Sequence, residues 1–408
     1  MARSDRNEQE LAARLAATRR LTLNLAAPLS DADATIQPHP DASPAKWHLA
    51  HTSWFFETFV LRDHVPGYRL HDERWAYLFN SYYEGEGDRH ARPRRGMISR
   101  PSLDEVRDWR ARVDAELAAA IPSLSEDALT LVELGIQHEQ QHQELFLTDI
   151  LATLAENPLE PAYGALDPVP CHATEPMAWI DGREGEVEIG AGNGFSYDCE
   201  GPRHRALLHP HRLANRCVTN GEWQEFLADG GYRTATLWLS EGWDWAQANA
   251  VTRPLYWRGD DSHFTLAGRR RLDRAAPVCH LSYYEADAFA RWAGARLPTE
   301  AEWEDSFASS DPWLGHQLDQ AGPVVPRPGG GPFGDVWQWT ASAYLPYPGF
   351  KPASGTVGEY NGKFMCGQFV LKGASCATPR GHSRASYRNF FPPSARWQFT
   401  GVRLARDA

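Results

Sequence analysis

The amino-acid sequence predicts two domains, a helical bundle followed by an irregular α+β domain. At 408 residues the chain exceeds the length over which one hydrophobic core usually grows. Up to about residue 160 the apolar residues recur at helical spacing, whereas Gly-rich turns, short apolar segments and twelve of the sixteen tryptophans follow a proline-marked linker. The prolines of this linker are Pro158, Pro161, Pro168 and Pro170. We therefore expect a four-helix domain over 1–160 and an α+β domain held by aromatic packing over 161–408.

Four segments account for the predicted bundle. The first, over 8–25, is rich in Ala, Leu and Arg, and Pro44 opens the second, because proline suits the first turn of a helix. Ser102, with Glu105 three residues on, is the capping-box pattern that begins a third helix. Ser125 precedes the fourth, which is the longest. In such bundles metal sites are built from side chains that face inward on different helices.

Three histidines of this bundle are candidate metal ligands. His138 and His142 are i, i+4 neighbours, so that their imidazoles project from one face of the fourth helix. His51, in the run Trp-His-Leu-Ala-His-Thr, lies on the second helix and can meet them across the bundle. A polar, solvated helix face is the alternative explanation of the pair. The pattern favours a metal site and leaves that alternative open.

The same pentapeptide, His-Glu-Gln-Gln-His, also satisfies the H-E-x-x-H pattern of zinc hydrolases. In that interpretation Glu139 is the general base that activates water. The third ligand that often follows six residues later is absent, because position 148 is Thr148. A zinc hydrolase is therefore a weaker hypothesis than a site that includes His51.

A long polar connection over 63–100 separates the second and third predicted helices. It contains the run Asn-Ser-Tyr-Tyr-Glu at 80–84, followed by four arginines, Arg89, Arg92, Arg94 and Arg95. Loops of this length inside a compact domain are usually functional or disordered, and the aromatic residues favour order. The tyrosines either pack while the arginines form a solvated face, or both line a pocket in which an arginine holds a carboxylate.

Composition excludes several classes of protein. With 41 basic and 53 acidic residues the formal net charge is −12, which argues against a nucleic-acid surface. No stretch of about 18 apolar residues is present, and the charged N-terminus lacks an apolar signal region, so we expect no membrane span and a cytoplasmic location. Six cysteines without C-x-x-C spacing indicate reduced thiols rather than a disulfide framework. They are Cys171, Cys199, Cys217, Cys279, Cys366 and Cys376.

Four blocks of the second domain carry a family resemblance. They are PVCHLSY at 277–283, AGARLPTEAEWE at 293–304, GDVWQWT at 334–340 and GVRL at 401–404. These blocks resemble the signatures of the formylglycine-generating-enzyme/sulfatase-modifying domain, which has a C-type-lectin-like fold. In the first domain WHLAHT at 47–52 and HEQQHQE at 138–144 look like the DinB-like four-helix domain. The order of the two domains is similar to that of the ergothioneine-biosynthesis sulfoxide synthases, the EgtB family, over nearly the whole chain.

The resemblance implies a metal centre and a catalytic phenol. It implies that His51, His138 and His142 bind one Fe(II), with positions left open for O2, the co-substrate, and for a sulfur donor. It also implies that Tyr82 or Tyr83 passes a proton or an electron to the oxygen species, a role that suits a phenol near a metal.

The resemblance further implies a set of substrate-binding residues, with the active site between the two domains. Gln141 matches a residue that contacts the imidazole substrate, and Arg92 is expected to meet the carboxylate of the donor. The block Arg388, Asn389, Phe390 and Phe391 matches the part of the second domain that closes the pocket. The aromatic residues also suit a trimethylammonium group through cation–π contact.

The implied reaction joins sulfur to C2 of the imidazole of hercynine, the trimethylated betaine of histidine, and yields a sulfoxide. The expected donor is cysteine or γ-glutamylcysteine, in the pathway to ergothioneine. The alternative is the related branch of selenoneine synthases, which joins a selenosugar to hercynine. Departures from the usual family blocks at Gln338, 372–375 and Cys199 leave the donor open.

Two further classes are less favoured. Oxidation of a peptidyl cysteine, as in formylglycine-generating enzymes, requires paired cysteines near the C-terminal block, and Cys376 has no obvious partner in the sequence. A lectin-like binding protein would leave the three histidines unexplained. We therefore expect an enzyme with small-molecule substrates, without a nucleic-acid or membrane partner, that is a monomer or a weak homo-oligomer.

Overall fold

The structure is a computed structural model that describes residues 2–166, 175–355, 358 and 361–408. Two linker prolines, Pro168 and Pro170, and one of the expected reduced thiols, Cys171, lie outside the described residues. The chain divides into two compact units. The first comprises Met1–Gly164 with Asp319–Pro323, and the second comprises Ala165–Leu318 with Val324–Ala408.

The first unit is helical, as predicted. Its four long helices are α1 (Ala2–Ala26), α3 (Ala45–Phe56), α5 (Leu103–Ala120) and α6 (Glu126–Ala155). Two short helices, α2 (Asp31–Thr35) and α4 (Glu73–Phe79), lie in the connections and were not predicted. A π-helical stretch, Glu57–Arg62, continues α3, and short 3₁₀ helices occupy Glu84–Glu86, Arg92–Met97 and Ile121–Ser123.

The predicted capping residues begin the long helices. The Ser102 side chain accepts from the backbone N–H of Glu105, while the Glu105 carboxylate accepts from the Ser102 N–H at 2.7 Å. Ser125 accepts in the same way from Ala128, and Pro44 stands immediately before α3. Each such cap contributes about 1 kcal/mol to helix stability, because it satisfies N–H groups that have no partner within the helix.

The helix α3 is buried along its whole length, which explains why its sequence shows no polar face. All twelve of its residues are buried, and among the largest are Trp54, Phe55 and Phe56. Burial of one such aromatic side chain contributes about 2–3 kcal/mol through removal of apolar surface from water. The two histidines that α3 carries, His48 and His51, are therefore held in a rigid, water-poor environment.

The second unit contains four helices and eleven strands within the described part of the chain. The helices are α7 (Asn220–Ala228), α8 (Ser240–Ala248), α9 (Tyr283–Trp292) and α10 (Glu300–Phe307). The strands are β1 (Trp179–Asp181), β2 (Gly185–Ile189), β3 (His204–Leu208), β4 (His211–Cys217), β5 (Ser262–Thr265), β6 (Gly268–Arg271), β7 (Trp337–Ala343), β8 (Phe369–Lys372), β9 (Asn389–Phe391), β10 (Thr400–Gly401) and β11 (Arg403–Asp407). This mixture of short elements confirms the predicted α+β class.

Two sheets and two hairpins organise these strands. One sheet has the order β1-β4-β11 with antiparallel neighbours. The other has the order β10-β7-β8-β9, in which only the β10–β7 pair is parallel. The hairpins are β2–β3 and β5–β6. Trp303, Trp337 and Trp339 are completely buried here, so aromatic packing supports the short strands as expected.

Two further expectations concern the whole chain. None of the helices in the described residues combines the length and apolar content that crossing a membrane requires. Every cysteine that the structure describes is a free thiol, and all of these except Cys366 are buried. Burial raises the pKa of the Cys199 thiol to about 12, which keeps that sulfur protonated and unreactive.

Candidate metal centre

The three predicted ligands converge inside the helical unit. His51 on α3 and His138 and His142 on α6 each offer a ring nitrogen, and these nitrogens lie within 4.8 Å of one another. The Nε2 atoms of His51 and His138 are 3.2 Å apart. Nitrogens bound at about 2.1 Å to one metal ion are separated by about 3 Å, so little movement is needed to close a metal site. All three side chains are buried.

Burial also keeps these imidazoles neutral, which metal coordination requires. Loss of water lowers the pKa of His138 to about 3, and the same cause lowers the pKa of His51 and His142 well below the ordinary value. Protons therefore do not compete with a metal ion for these nitrogens near neutral pH.

The orientation of His51 is fixed by two neighbours. Its Nδ1 donates to the backbone carbonyl of Phe79 at 2.6 Å, which leaves Nε2 to face the other two histidines. The indole of Trp47 is stacked on the imidazole, with ring centroids 4.5 Å apart and planes 13° apart. Phe79 is the last residue of α4, so the unpredicted short helix contributes directly to the centre.

A second histidine of α3 supports His142. The Nδ1 atoms of His48 and His142 are 2.8 Å apart, and Nε2 of His48 is 3.1 Å from Oδ2 of Asp149. The same oxygen accepts from the backbone N–H of Ser43 at 2.7 Å. Sequence reasoning missed His48 and Asp149. The available signal was spacing, because His48 is one turn from His51, and Asp149 is two turns from His142 on the same face of α6.

The structure does not support Glu139 as a general base. Its carboxylate is fully buried, accepts from Arg19 at 2.9 Å and from Thr22 at 2.5 Å, and forms an ion pair with Arg110. Although burial alone would raise it, the two guanidinium groups bring the pKa of Glu139 down to about 2. A carboxylate held by two arginines on α1 and α5 joins the helices and is poorly suited to activating water.

The two candidate tyrosines occupy different environments. The Tyr83 ring is buried between Trp54 and Phe59, at centroid distances of 5.6 and 5.3 Å. Tyr82 is partly exposed, with its ring 5.2 Å from that of Tyr83. Asn80 closes the turn by accepting from the Tyr83 N–H and donating to its carbonyl. The two tyrosine rings therefore pack against each other, with Tyr83 as the inner, buried phenol and Tyr82 as the outer, partly exposed one.

Among the loop arginines, Arg92 and Arg95 differ sharply. Arg92 is exposed and donates to the backbone carbonyl of Asp41. Arg95 is buried, with its guanidinium 3.4 Å from the centre of the Trp47 ring and hydrogen bonds to the hydroxyls of Ser43 and Ser81. Burial lowers the pKa of Arg95 well below its ordinary value. Sequence reasoning proposed Arg92 for a carboxylate and missed the buried Arg95.

Gln141 lies on α6 one residue before the last ligand and is partly exposed. Gln141 is three residues after His138, so it lies on the same side of the helix as that ligand, and it points about 100° away from its neighbour His142. It lies on the same turn as the ligands, close to the centre along the helix axis. Its predicted contact with an imidazole substrate remains a prediction.

Arg388, in the second unit, is a fully paired cation. Its guanidinium donates to both carboxylate oxygens of Glu300, at 2.9 and 3.1 Å, and to the carbonyl of Cys199 at 3.0 Å. It also lies over the Tyr347 ring at 3.9 Å. These contacts anchor the residue that precedes β9.

Asn389, Phe390 and Phe391 form β9 and are partly exposed. The Phe390 ring is stacked on Tyr344, with centroids 4.1 Å apart and planes 12° apart, whereas Phe391 meets the edge of Trp397. The predicted block is thus a short edge strand of the four-stranded sheet, and it presents aromatic surface.

Two positions that depart from the usual family blocks are used inside the fold of the second unit. Oε1 of Gln338 accepts from Nε1 of Trp303 at 2.6 Å and from Nε of Arg403 at 2.7 Å. Lys372 is buried and pairs with Glu304 at 2.8 Å. Both departures therefore concern core packing, and they carry no information on the donor.

Comparison with known proteins agrees with both units. The family model described as a sulfatase-modifying factor enzyme 1-like domain matches residues 164–320 and 332–408, and that of the DinB superfamily matches 14–146. Both domain identities predicted from the sequence are thereby confirmed.

Three relatives extend the comparison to the whole chain. A hercynine oxygenase of Mycobacterium tuberculosis is 34% identical over 431 residues, covering 98% of this chain and 99% of the relative. A hercynine oxygenase of Mycolicibacterium thermoresistibile is 32% identical, covering 98% and 95%. The ergothioneine biosynthesis protein 1 of Schizosaccharomyces pombe is 23% identical over 75% of this chain and 44% of its own length. Because the agreement extends over nearly all of this chain and of its bacterial relatives, the protein belongs to the hercynine oxygenase family.

Proposed function

We propose that this protein is a non-haem iron enzyme that uses O2 to join a sulfur donor to imidazole C2 of hercynine, giving a sulfoxide on the route to ergothioneine. The observation that carries the proposal is the buried triad of His51, His138 and His142, in a chain that aligns along its whole length with hercynine oxygenases. Glu139, the general base of the zinc-hydrolase hypothesis, is bound by two arginines instead.

The donor set fits a catalytic iron. Three neutral imidazoles suit a divalent first-row metal, and among the described residues no further His, Cys, Asp or Glu joins the cluster. A site with three protein ligands leaves coordination positions for small molecules. Ferrous iron, when bound, supplies the oxygen activation that imidazole C2, a poor electrophile, needs for bond formation.

The remaining residues are assigned roles that agree with their placement. We assign Gln141 and Arg92 to substrate binding in the first domain. Tyr82 and Tyr83 are the candidate proton or electron donors, because they follow Phe79, whose carbonyl orients His51, by three and four residues in the chain.

In the second domain we assign Asn389, Phe390 and Phe391 to substrate binding through their partly exposed strand. Arg388 acts in that group by anchoring the strand, because its charge is already paired with Glu300. We place the enzyme in the cytoplasm as a monomer or weak homo-oligomer, which size-exclusion chromatography with light scattering would test.

We favour a thiol donor, cysteine or γ-glutamylcysteine. Both carry carboxylates, which suit the exposed guanidinium groups of Arg92 and Arg94. A selenosugar would instead require groups that bind hydroxyls. One of the relatives named above is an ergothioneine biosynthesis protein, which agrees with the sulfur branch.

The decisive experiment is reconstitution with ferrous iron and hercynine without oxygen, followed by oxygen, with cysteine, γ-glutamylcysteine and a selenosugar offered in parallel. Mass spectrometry is expected to detect a sulfoxide adduct with one of the thiols and none with the His142→Ala variant. A selenium adduct alone would move the protein to the selenoneine branch. No adduct with any donor, or turnover that persists without oxygen, would overturn the proposal.

A further inference from the structure

A chain of three buried hydrogen-bonding groups ends at the metal triad. It runs from the carboxylate of Asp149 to Nε2 of His48, and from Nδ1 of His48 to Nδ1 of His142, over 3.1 and 2.8 Å. The side chains of Asp149 and His48 are 4% and 2% exposed, so water does not compete for these bonds. Ser43 adds a backbone donor to the same carboxylate oxygen.

With Asp149 ionised and His48 neutral, the chemistry of each group fixes the direction of every bond in this chain. An ionised carboxylate only accepts hydrogen bonds, so Nε2 of His48 must be the donor to Asp149. A neutral imidazole that carries its proton on Nε2 has a bare Nδ1, which can only accept. Nδ1 of His142 must then donate to His48, and the lone pair of His142 is left on Nε2. Asp149 thereby determines, through His48, which nitrogen of His142 faces the other ligands.

We propose that His48 and Asp149 are positioning residues of the metal centre, which hold His142 as the Nδ1–H tautomer and fix the orientation of its ring. The inference rests on the metal-binding role of His142 in the proposed function. Neither residue touches substrate or metal in this proposal. Both act through a hydrogen bond that a ligating histidine characteristically makes to a partner outside the site.

The arrangement of the helices supports this assignment. His48 is one turn before His51 on α3, and Asp149 is two turns after His142 on α6, so each ligand-bearing helix also carries one supporting residue.

The test uses metal binding, which does not require turnover. Anaerobic titration of the metal-free full chain with Co²⁺ gives a dissociation constant and a d–d absorption spectrum that reports the ligand geometry. We expect His48→Leu and Asp149→Ala to weaken Co²⁺ binding about 10- to 100-fold and to change the spectrum. His71→Gln is the matched control, because His71 belongs to the same unit and packs against Trp75 and Trp109 away from the triad.

Conservative variants separate positioning from folding. His48→Gln keeps an acceptor and a donor at about the same separation, and Asp149→Asn keeps an acceptor oxygen, so both should bind Co²⁺ within about threefold of the native protein. Rescue of this kind would support positioning, provided that the metal-free variants all unfold at about the same temperature. Native affinity and an unchanged spectrum in His48→Leu and Asp149→Ala would overturn it. If the native protein itself failed to bind Co²⁺ or Fe²⁺, the proposed function would fall rather than this inference alone.

Discussion

Gly135 lies directly against the ring of Phe56, so that a Cβ added to the glycine would stand 2.3 Å from the nearest ring carbon. The close approach brings α6 against α3 one turn before His138. A glycine within a helix costs about 1 kcal/mol relative to alanine, and here that cost is offset by the packing it permits. The spacing of the two helices that carry the metal ligands thus depends on the absence of one methyl group.

Gly135→Ala should therefore destabilise the protein despite its better helix propensity. We expect a net loss of about 1–3 kcal/mol in the free energy of unfolding, because overpacking forces the Phe56 ring or the helix to move. Urea denaturation of the metal-free protein would measure this. The double variant Gly135→Ala/Phe56→Leu should recover part of the loss, and strictly additive effects of the two changes would contradict the steric explanation.

Glu139→Gln should lower the stability of the fold more than it lowers the rate of the reaction. Loss of the charge leaves Arg19 and Arg110 buried without their shared carboxylate, which is expected to cost about 3–5 kcal/mol of stability. Chemical denaturation measures the loss of stability, and the metal content of the folded variant is measured in parallel. A variant of native stability that had lost all activity would restore Glu139 as a catalytic base.

The lowered pKa of Glu139 also predicts that the protein loses stability in acid. The pKa of Glu139 falls from 4.5 to about 2 on folding, so its contribution is complete above the unfolded value and is lost as the pH drops from about 4.5 towards 2. The full contribution is about 3 kcal/mol by the linkage relation. Subtracting the profile of Glu139→Gln from that of the native protein isolates this term. A difference that stays constant across this range would refute the assignment.

His142→Ala should abolish stoichiometric metal binding. Removal of one of three ligands is expected to weaken Fe²⁺ affinity more than 100-fold, a stronger effect than loss of a supporting residue. The measurement is iron content after anaerobic reconstitution and desalting. His71→Ala is the control, because it also replaces one histidine of the helical unit with alanine. Full iron content in His142→Ala would remove this residue from the ligand set.

Replacing both Tyr82 and Tyr83 with phenylalanine should spare iron and hercynine binding while lowering sulfoxide formation about 100-fold or more, the usual size of a lost proton-transfer group. The packing of both rings is preserved by phenylalanine, so stability should change little. Product analysis of the two single variants then assigns the role to the inner or the outer phenol. Unchanged product formation in the double variant would exclude both.

Local signals were sufficient to predict the four long helices and the histidine pair of α6. Ser102 and Ser125 begin α5 and α6 as predicted, since capping depends on a few adjacent residues. The i, i+4 spacing of His138 and His142 survives in the structure because a helix is rigid over one turn. The class of the second unit followed from its turns and aromatic residues, although individual short strands could not be located.

What the sequence did not provide depends on tertiary partners. The roles of His48 and Asp149 arise only when α3 and α6 pack against each other. The zinc-hydrolase pattern around Glu139 likewise gives no indication of the two arginines that reach its carboxylate from other helices. The short helix α4 was hidden in a polar segment because its length gives too few apolar residues to show a period. Arg95 differs from its exposed neighbours through its tertiary contacts, the stacking on Trp47 and the hydrogen bonds to Ser43 and Ser81.

The hydrogen bond from His51 to the carbonyl of Phe79 has a consequence for engineering. Asn80, Ser81 and the two tyrosines follow Phe79 directly in the chain. The same stretch of backbone therefore orients His51 and carries both phenols. A chimera that exchanges the tyrosine loop for that of a relative would also exchange the support of a metal ligand. Transplants intended to alter donor choice should therefore begin upstream of α4, with the whole helix included.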